Sequence, residues 1–423
     1  MKKIIILILC ILAVATLVGC ADKTISLPDI AGMTLEEAQA LCKDITLNPV
    51  EEKTMYANPG TILGYVEEEK IEVEKGSTVD VKVAGKLSFD DKVESITYID
   101  HLTGPDSKNN GELLLESGAH GTDLGISFDF KGKTVFLFGD TFSGPDREGF
   151  WNSNFITISD DNNFKDGIEF TDIIRRPNGM IKPFAQGNHD EDNAEDKSKE
   201  VTKIPTGAIT LGDTVYLFYM SVRYWGANAG WLVTYNQCLK SRDLETWEEV
   251  EGLRWNDEEA YNFGQIYPFD DPNSDYIYFY AIPGGRHGGL VCARVLENEF
   301  ENKDAYEYEV GPNEWLKGSL GLDALKENPY YLVDPRVAEP CVTYNPYLGK
   351  YVFTHSMGGS CMFTADKPYE PFKDKVVLVD SQYLGTYGVF TSSNLFEENG
   401  KVFYIACSRW AEYNVYLLRV ELK

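Results

Sequence analysis

The chain has 423 residues, more than one domain ordinarily holds, so two domains are the starting expectation. It carries 67 acidic against 39 basic side chains, a formal net charge of −28. This excludes the basic footprint that nucleic-acid phosphates require, and it suits a neutral or cationic ligand better than a polyanion, besides serving solubility.

The N-terminus reads as an export signal. Lys2 and Lys3 precede an apolar stretch from Ile4 to Leu17, broken only by Cys10 and Thr16. The stretch ends in Leu17-Val18-Gly19-Cys20, which resembles a lipobox. That resemblance implies a signal peptide over 1–19, lipid on Cys20, and a short tether over 20–25. The chain would then sit lipid-anchored on the extracellular face of the cell membrane, with the membrane as a partner through the lipid. The competing reading is a single transmembrane helix, but the run is short of the roughly 20 apolar residues a span needs.

Residues 26–86 read as a small α/β domain. Thr34 with Glu37 three positions on has the capping-box spacing, which predicts a helix over 35–41. A turn at Lys75-Gly76-Ser77 then leads into the alternating strand Val79-Asp80-Val81-Lys82-Val83. The text Leu27-Pro28-Asp29-Ile30-Ala31-Gly32-Met33-Thr34, continued by Glu74-Lys75-Gly76-Ser77-Thr78-Val79, resembles a PASTA domain. That resemblance implies either association with cell-wall peptidoglycan or a spacer.

From residue 92 to 423 the pattern is all β, with many short aromatic and β-branched runs. One hairpin recurs five times, with turns at Lys131-Gly132, Leu211-Gly212, Pro272-Asn273, Leu348-Gly349 and Glu398-Asn399-Gly400. Each turn is followed by a strongly apolar strand, such as Val135-Phe136-Leu137-Phe138 or Val215-Tyr216-Leu217-Phe218. The repetition predicts a mainly β fold, a five-bladed β-propeller, in preference to a pair of β-sandwiches. An acidic stretch over 188–196 reads as a solvated, mobile insertion from which His189 could reach a ligand. Cys42, Cys238, Cys292, Cys341, Cys361 and Cys407 read as buried thiols, and Cys341 with Cys361 is the first pair to test for a disulfide. No Cys/His spacing supports a metal, and no cofactor motif is present.

The hairpin geometry places two acids together. Asp123 and Asp140 are equidistant from the Lys131-Gly132 turn, so a regular ladder would set them opposite, Cβ atoms roughly 4.5–5.5 Å apart. A bulge would shift this by one residue. Like charges so close should raise one of the two pKa values. Glu339 precedes the fourth turn at a similar offset, which would bring a third carboxylate to the same mouth from another blade. Paired acids in a deep pocket are what glycoside cleavage needs: one protonates the leaving oxygen, the other attacks the anomeric carbon or activates water. Trp225, Trp231, Tyr235, Tyr387 and Trp410 offer flat faces for sugar rings, and Arg286 and His287 follow Pro283-Gly284-Gly285 at a strand end. Ser241 to Trp247 resembles an Asp-box turn and reads as structural.

The run Gly121-Thr122-Asp123-Leu124-Gly125, then Val135 to Phe142, then Ser153-Asn154-Phe155, resembles domain-of-unknown-function family 4185. So do Pro283-Gly284-Gly285-Arg286 and Glu339-Pro340 with Val342 to Gly349. Members of that family have been placed in glycoside hydrolase family 183, endo-acting on D-arabinan with a five-bladed propeller. The resemblance implies that Asp123 and Asp140 are the catalytic acids, that Glu339 is a further acidic site residue, and that Asn154 joins the substrate-binding set. The expectation is therefore a surface-anchored glycoside hydrolase on a furanose-containing polysaccharide. The alternatives are a glycan-binding lipoprotein without turnover and an envelope scaffold.

Overall fold

The computed structural model describes residues 23–54, 56–381 and 385–423. The export-signal reading and Cys20 lie outside these residues. The chain divides into two units, one ending at Lys86 and one running from Leu87 to Lys423. Among the described residues no helix is long and apolar enough to cross a membrane.

In the smaller unit the capping box forms. Thr34 is extended, its Oγ1 accepts from the Glu37 amide at 3.3 Å, and Glu37 Oε2 accepts from the Thr34 amide at 2.9 Å. Two of the helix's orphan donors are thereby satisfied, and the helix Leu35–Leu41 starts where the sequence places it. Ala38 on its inner face joins Ile30, Ile45, Leu47, Ile62, Val73 and Val81 in one small core. Strand Thr78–Ala84 is central, parallel to Thr46–Glu52 and antiparallel to Ile62–Tyr65.

Among its described residues the larger unit holds five antiparallel sheets, four of which begin with strands in chain order. The first is built on Gly121–Phe130, Lys133–Phe142 and Phe155–Ser159, the second on the four strands between Thr202 and Asn256. The third comprises five strands between Gln265 and Lys317, and the fourth comprises four between Cys341 and Val379. The fifth is assembled from both ends of the unit: Thr386–Phe390, Val402–Arg409, Asn414–Leu422, and then Val93–His101 along its outer edge. The leading strands touch in a circuit: Gly121–Phe130 meets Thr202–Leu211, which meets Gln265–Asp270, which meets Cys341–Asn345. Thr386–Phe390 closes it, packing on the fourth sheet and on Gly121–Phe130.

The apolar strands have no polar face because both of their faces are covered. Val135 and Leu137 enter one core with Leu217, Tyr219 and Tyr280, while Phe136 and Phe138 on the opposite face enter another with Tyr404, Ala406 and Leu417. Phe218 and Phe279 belong to a third. A pair of β-sandwiches would divide the sheets into two separate groups, whereas here the leading strands touch in one circuit, so that alternative does not hold.

Four expectations change. The second turn falls at Gly212-Asp213, between strands ending at Leu211 and starting at Thr214. The fifth hairpin is not a simple repeat, because only Phe396–Glu397 precedes its turn and the long pairing is made by Thr386–Phe390. Cys341 and Cys361 form no disulfide; all six described cysteines are free and buried, and the Cys341 thiol donates to the Thr391 carbonyl at 3.3 Å. The acidic stretch is strapped down, not loose. His189 N bonds Val201 O, Asp190 N bonds Glu200 O, and Asn193 N bonds Arg223 O. Trp225 N donates to Asp192 Oδ2 at 3.2 Å.

Candidate active site

One cavity of about 640 Å³ receives Asp123, Asp140 and Glu339. The first two come from the hairpin Gly121–Phe130/Lys133–Phe142, though not as the ladder pair that symmetry predicts. The register is regular up to Thr122 against Thr141 and again from Ile126 against Leu137, and it breaks on both sides of Leu124. Leu124 and Gly125 take φ of 76° and 85°, a bulge lodged at the acids themselves. For a leucine this left-handed backbone is costly, and its amide is held by Ser408 Oγ at 2.8 Å. Gly139 makes the arrangement possible, since a Cβ there would meet Asp123 Oδ1 at 2.4 Å.

The three acids are buried in different ways. Asp123 Oδ2 accepts from the Tyr387 hydroxyl at 2.9 Å, while its Oδ1 is buried without a hydrogen bond. Asp140 Oδ1 accepts both the Trp151 indole N–H at 2.8 Å and the Thr202 hydroxyl at 2.5 Å. Glu339 sits just ahead of the strand Cys341–Asn345, and its Oε1 accepts from Arg286 Nε at 3.0 Å and Nη2 at 2.5 Å. The Arg286 guanidinium lies 5.2 Å from both the Trp231 and the Tyr387 ring centres, within cation–π range.

Burial pushes Asp123 up to about 7, with the Tyr387 hydrogen bond pulling down and the Glu339 charge pushing up. Burial likewise pushes Asp140 up to about 8, opposed by the Thr202 hydrogen bond and helped by the charge on Asp123. Both acids are raised, not one, and desolvation outweighs the like-charge repulsion from which the sequence argument started. The pair therefore keeps a proton at neutral pH. A carboxylic acid beside a carboxylate can protonate a leaving oxygen while its neighbour attacks or activates water. Among the described residues no group of three or more His, Cys, Asp or Glu side chains is placed to hold a metal ion.

Trp225, Trp231, Arg286, Tyr387 and Trp410 line the cavity with the acids. Asn154 does not. It is fully buried, donating to the Ala185 and Lys203 carbonyls and accepting from the Phe184 amide, so its amide has no capacity left for a ligand. His287 is exposed and lies beside Gly230, outside the cavity wall. Tyr235 is turned away, its hydroxyl on Glu200 and its ring under Arg254. The Asp243 turn is structural, its carboxylate accepting the Glu245 and Thr246 amides, and those bonds hold it down at about 2.

Sequence reasoning missed Tyr413, Arg147 and Trp151, which also line the cavity. The short return strand Trp151–Asn152 pairs with Thr141–Phe142 and so brings the indole back over Asp140. Behind Trp151 stands His189, stacked on it with ring centres 4.0 Å apart and planes within 9°. Gln186 Nε2 donates to His189 Nε2 at 2.8 Å, which makes that nitrogen the acceptor of a neutral imidazole, and burial lowers its pKa. His189 thus sits one layer behind the acid and not at the rim.

The chain belongs to the family described as domain of unknown function (DUF4185), which matches residues 110–419. No curated protein is similar enough to count as a match. Among solved structures, a Bacteroides ovatus ATCC 8483 protein described as a proposed hydrolase superposes with a TM-score of 0.52 at 14% identity, over 77% of this chain and 90% of that one. A family 117 glycoside hydrolase of the marine bacterium Zobellia galactanivorans gives a TM-score of 0.43 at 10% identity, over 78% and 92%. The GH43_1 enzyme of Xanthomonas citri, solved with xylose, gives 0.42 at 13% identity, over 73% and 88%.

Proposed function

We propose that this member of the DUF4185 family is a glycoside hydrolase, endo-acting on a furanose-containing polysaccharide such as D-arabinan. The observation that carries the reading is the pair of buried aspartates, both raised toward neutral pH, in a cavity walled by aromatic rings. We read the five sheets as five propeller blades around that cavity. We further read Cys20 as a lipid anchor on the extracellular face of the membrane, and residues 26–86 as a PASTA-like module that contacts peptidoglycan or spaces the larger unit from it.

The hydrogen bonds suggest an order of roles. Asp140 Oδ1 already accepts two donors, so its proton belongs on Oδ2, where it can pass to the glycosidic oxygen as the C–O bond breaks. The Tyr387 hydroxyl supports Asp123 as the carboxylate, which attacks the anomeric carbon or takes the proton of an attacking water. Glu339 holds Arg286 between two rings, where the guanidinium can donate to sugar hydroxyls. Trp225, Trp231 and Trp410 supply stacking faces.

The test is incubation of the protein with a panel of furanose-containing polysaccharides, D-arabinan among them, reading new reducing ends. Activity should depend on pH as a narrow bell. It falls above about 8 as Asp140 loses its proton, and below about 7 as Asp123 gains one. Glycan binding with no new reducing ends on any member of the panel would instead favour capture without turnover.

A further inference from the structure

On so acidic a chain, a cleft lined by three cations stands out. Arg175, Arg176 and Lys182 line a second cleft of about 490 Å³ together with Pro177, Pro183 and Glu245. All three cations are half-buried. Their hydrogen bonds go mostly to neutral oxygens. Arg176 Nη2 donates to Asn152 Oδ1 at 3.1 Å, Arg175 Nε to Ser117 Oγ at 3.1 Å, and Lys182 Nζ to the backbone carbonyl of Glu245 at 2.7 Å. The one carboxylate in ion-pair range is Asp172, whose Oδ1 lies 3.5 Å from Arg175 Nη1 on a side chain 60% exposed. Among the described residues no ion pair joins the Glu245 carboxylate to any of the three.

Arg176 and Lys182 have given up part of their hydration without gaining a matching charge, and Arg175 has only the exposed Asp172 at 3.5 Å, which is the condition of an anion site awaiting its ligand. The cleft is linked to the cavity wall through Arg176. Arg176 bonds Asn152 and lies 5.7 Å from the Phe150 ring, and those two residues flank Trp151 on the cavity wall. A fourth cation, Arg147, stands in the cavity wall itself, 4.7 Å from the Trp410 ring centre.

We propose that this cleft is a subsite for an anionic group, carboxylate or phosphate, carried by the same glycan whose uncharged part occupies the aromatic cavity. The proposal rests on the glycan reading of that cavity, and it reverses locally the preference for neutral or cationic ligands that the net charge implies. The guanidinium forks match a planar carboxylate or a phosphate edge, and Lys182 adds a point charge.

Binding is read without turnover, by saturation transfer to glucuronate and to glucose 6-phosphate and by ³¹P line broadening of inorganic phosphate. The full protein is compared with Arg175→Gln/Arg176→Gln/Lys182→Gln. Glucuronate should bind at least about tenfold more tightly than its uncharged methyl ester, and the advantage should shrink as salt rises and the charges are screened. The triple variant should lose it, as should Lys182→Gln in part, with melting curves showing that the variants are folded. If the methyl ester binds as well as glucuronate, or the triple variant binds both anionic sugars undiminished, the proposal fails. Binding of inorganic phosphate with neither anionic sugar would reduce the cleft to an ion site and overturn the glycan assignment. Because no hydrolysis is measured, failure of the hydrolase reading leaves this result distinct.

Discussion

The first and fourth hairpins bury carboxylates in the same cavity by opposite means. The fourth keeps an unbroken register from Cys341 against Thr354 to Asn345 against Lys350, and its acid, Glu339, stands outside the strand with Arg286 as counter-charge. The first breaks its register at the acids themselves, and Asp123 and Asp140 have only neutral donors, Tyr387, Trp151 and Thr202. A carboxylate buried against a cation can remain charged. One buried against hydroxyls and an indole meets the desolvation penalty by holding its proton. Under the proposed function, the contrast separates an acid that positions from acids that transfer protons.

The sharpest way to break this contrast is to remove the transferable proton. Asp140→Asn keeps an oxygen to accept from Trp151 and Thr202 but has no proton to give, so kcat should fall about 10²–10⁴-fold. Full activity in this variant would end the assignment. The same variant has a stability signature. Asp140 is raised from 3.8 to about 8, so the folded state binds more protons than the unfolded state between those values. Its stability is therefore greatest below about 4 and declines as pH rises through about 8. Asp140→Asn should melt at a higher temperature than the wild type at pH 8.5, and the gap should close at pH 4.

The fourth hairpin predicts the reverse. Arg286→Met leaves Glu339 buried beside an apolar chain and should cost about 3 kcal/mol, as for other broken buried pairs. Adding Glu339→Gln should recover most of that stability, read by chemical denaturation, because the double variant strands no charge. If Arg286→Met alone is neutral, then the ion pair does not hold Glu339 and the two hairpins differ less than their geometry suggests.

What the sequence made legible follows how local each signal is. The Thr34 cap needs only the four residues to Glu37 and is readable outright. The Asp123 and Asp140 pairing needs one hairpin, and turn symmetry brought both residues to one end of it and allowed for a bulge without locating it, since Gly125 and Gly139 give no sign of which strand yields. The edge strand Val93–His101 pairs with Asn414–Leu422 across nearly the whole unit, and no local pattern announces such a partner. Asn154 was misjudged because a polar residue beside an apolar strand fits a ligand contact and a buried backbone clamp equally well, and only its hydrogen bonds to Phe184, Ala185 and Lys203 decide. The basic cleft escaped for a similar reason. Arg175 and Lys182 line one cleft only because the chain turns back at the Arg175–Ile181 bridge.

The smallest expected effect concerns the layer behind the acid. His189 touches no cavity surface, yet its ring covers Trp151, whose N–H fixes Asp140. A stacked aromatic pair contributes about 0.5–1.5 kcal/mol, so His189→Ala should lower kcat by roughly three- to tenfold with KM little changed. His189→Phe restores the stacked face without the imidazole nitrogens and should recover most of the loss. If it does not, the hydrogen bond from Gln186 matters more than the stack. A change in KM with kcat intact would mean that the strap shapes the ligand's path instead of the acid's position. Either result would extend the first hairpin's machinery into the acidic stretch that the sequence presented as mere solvated loop.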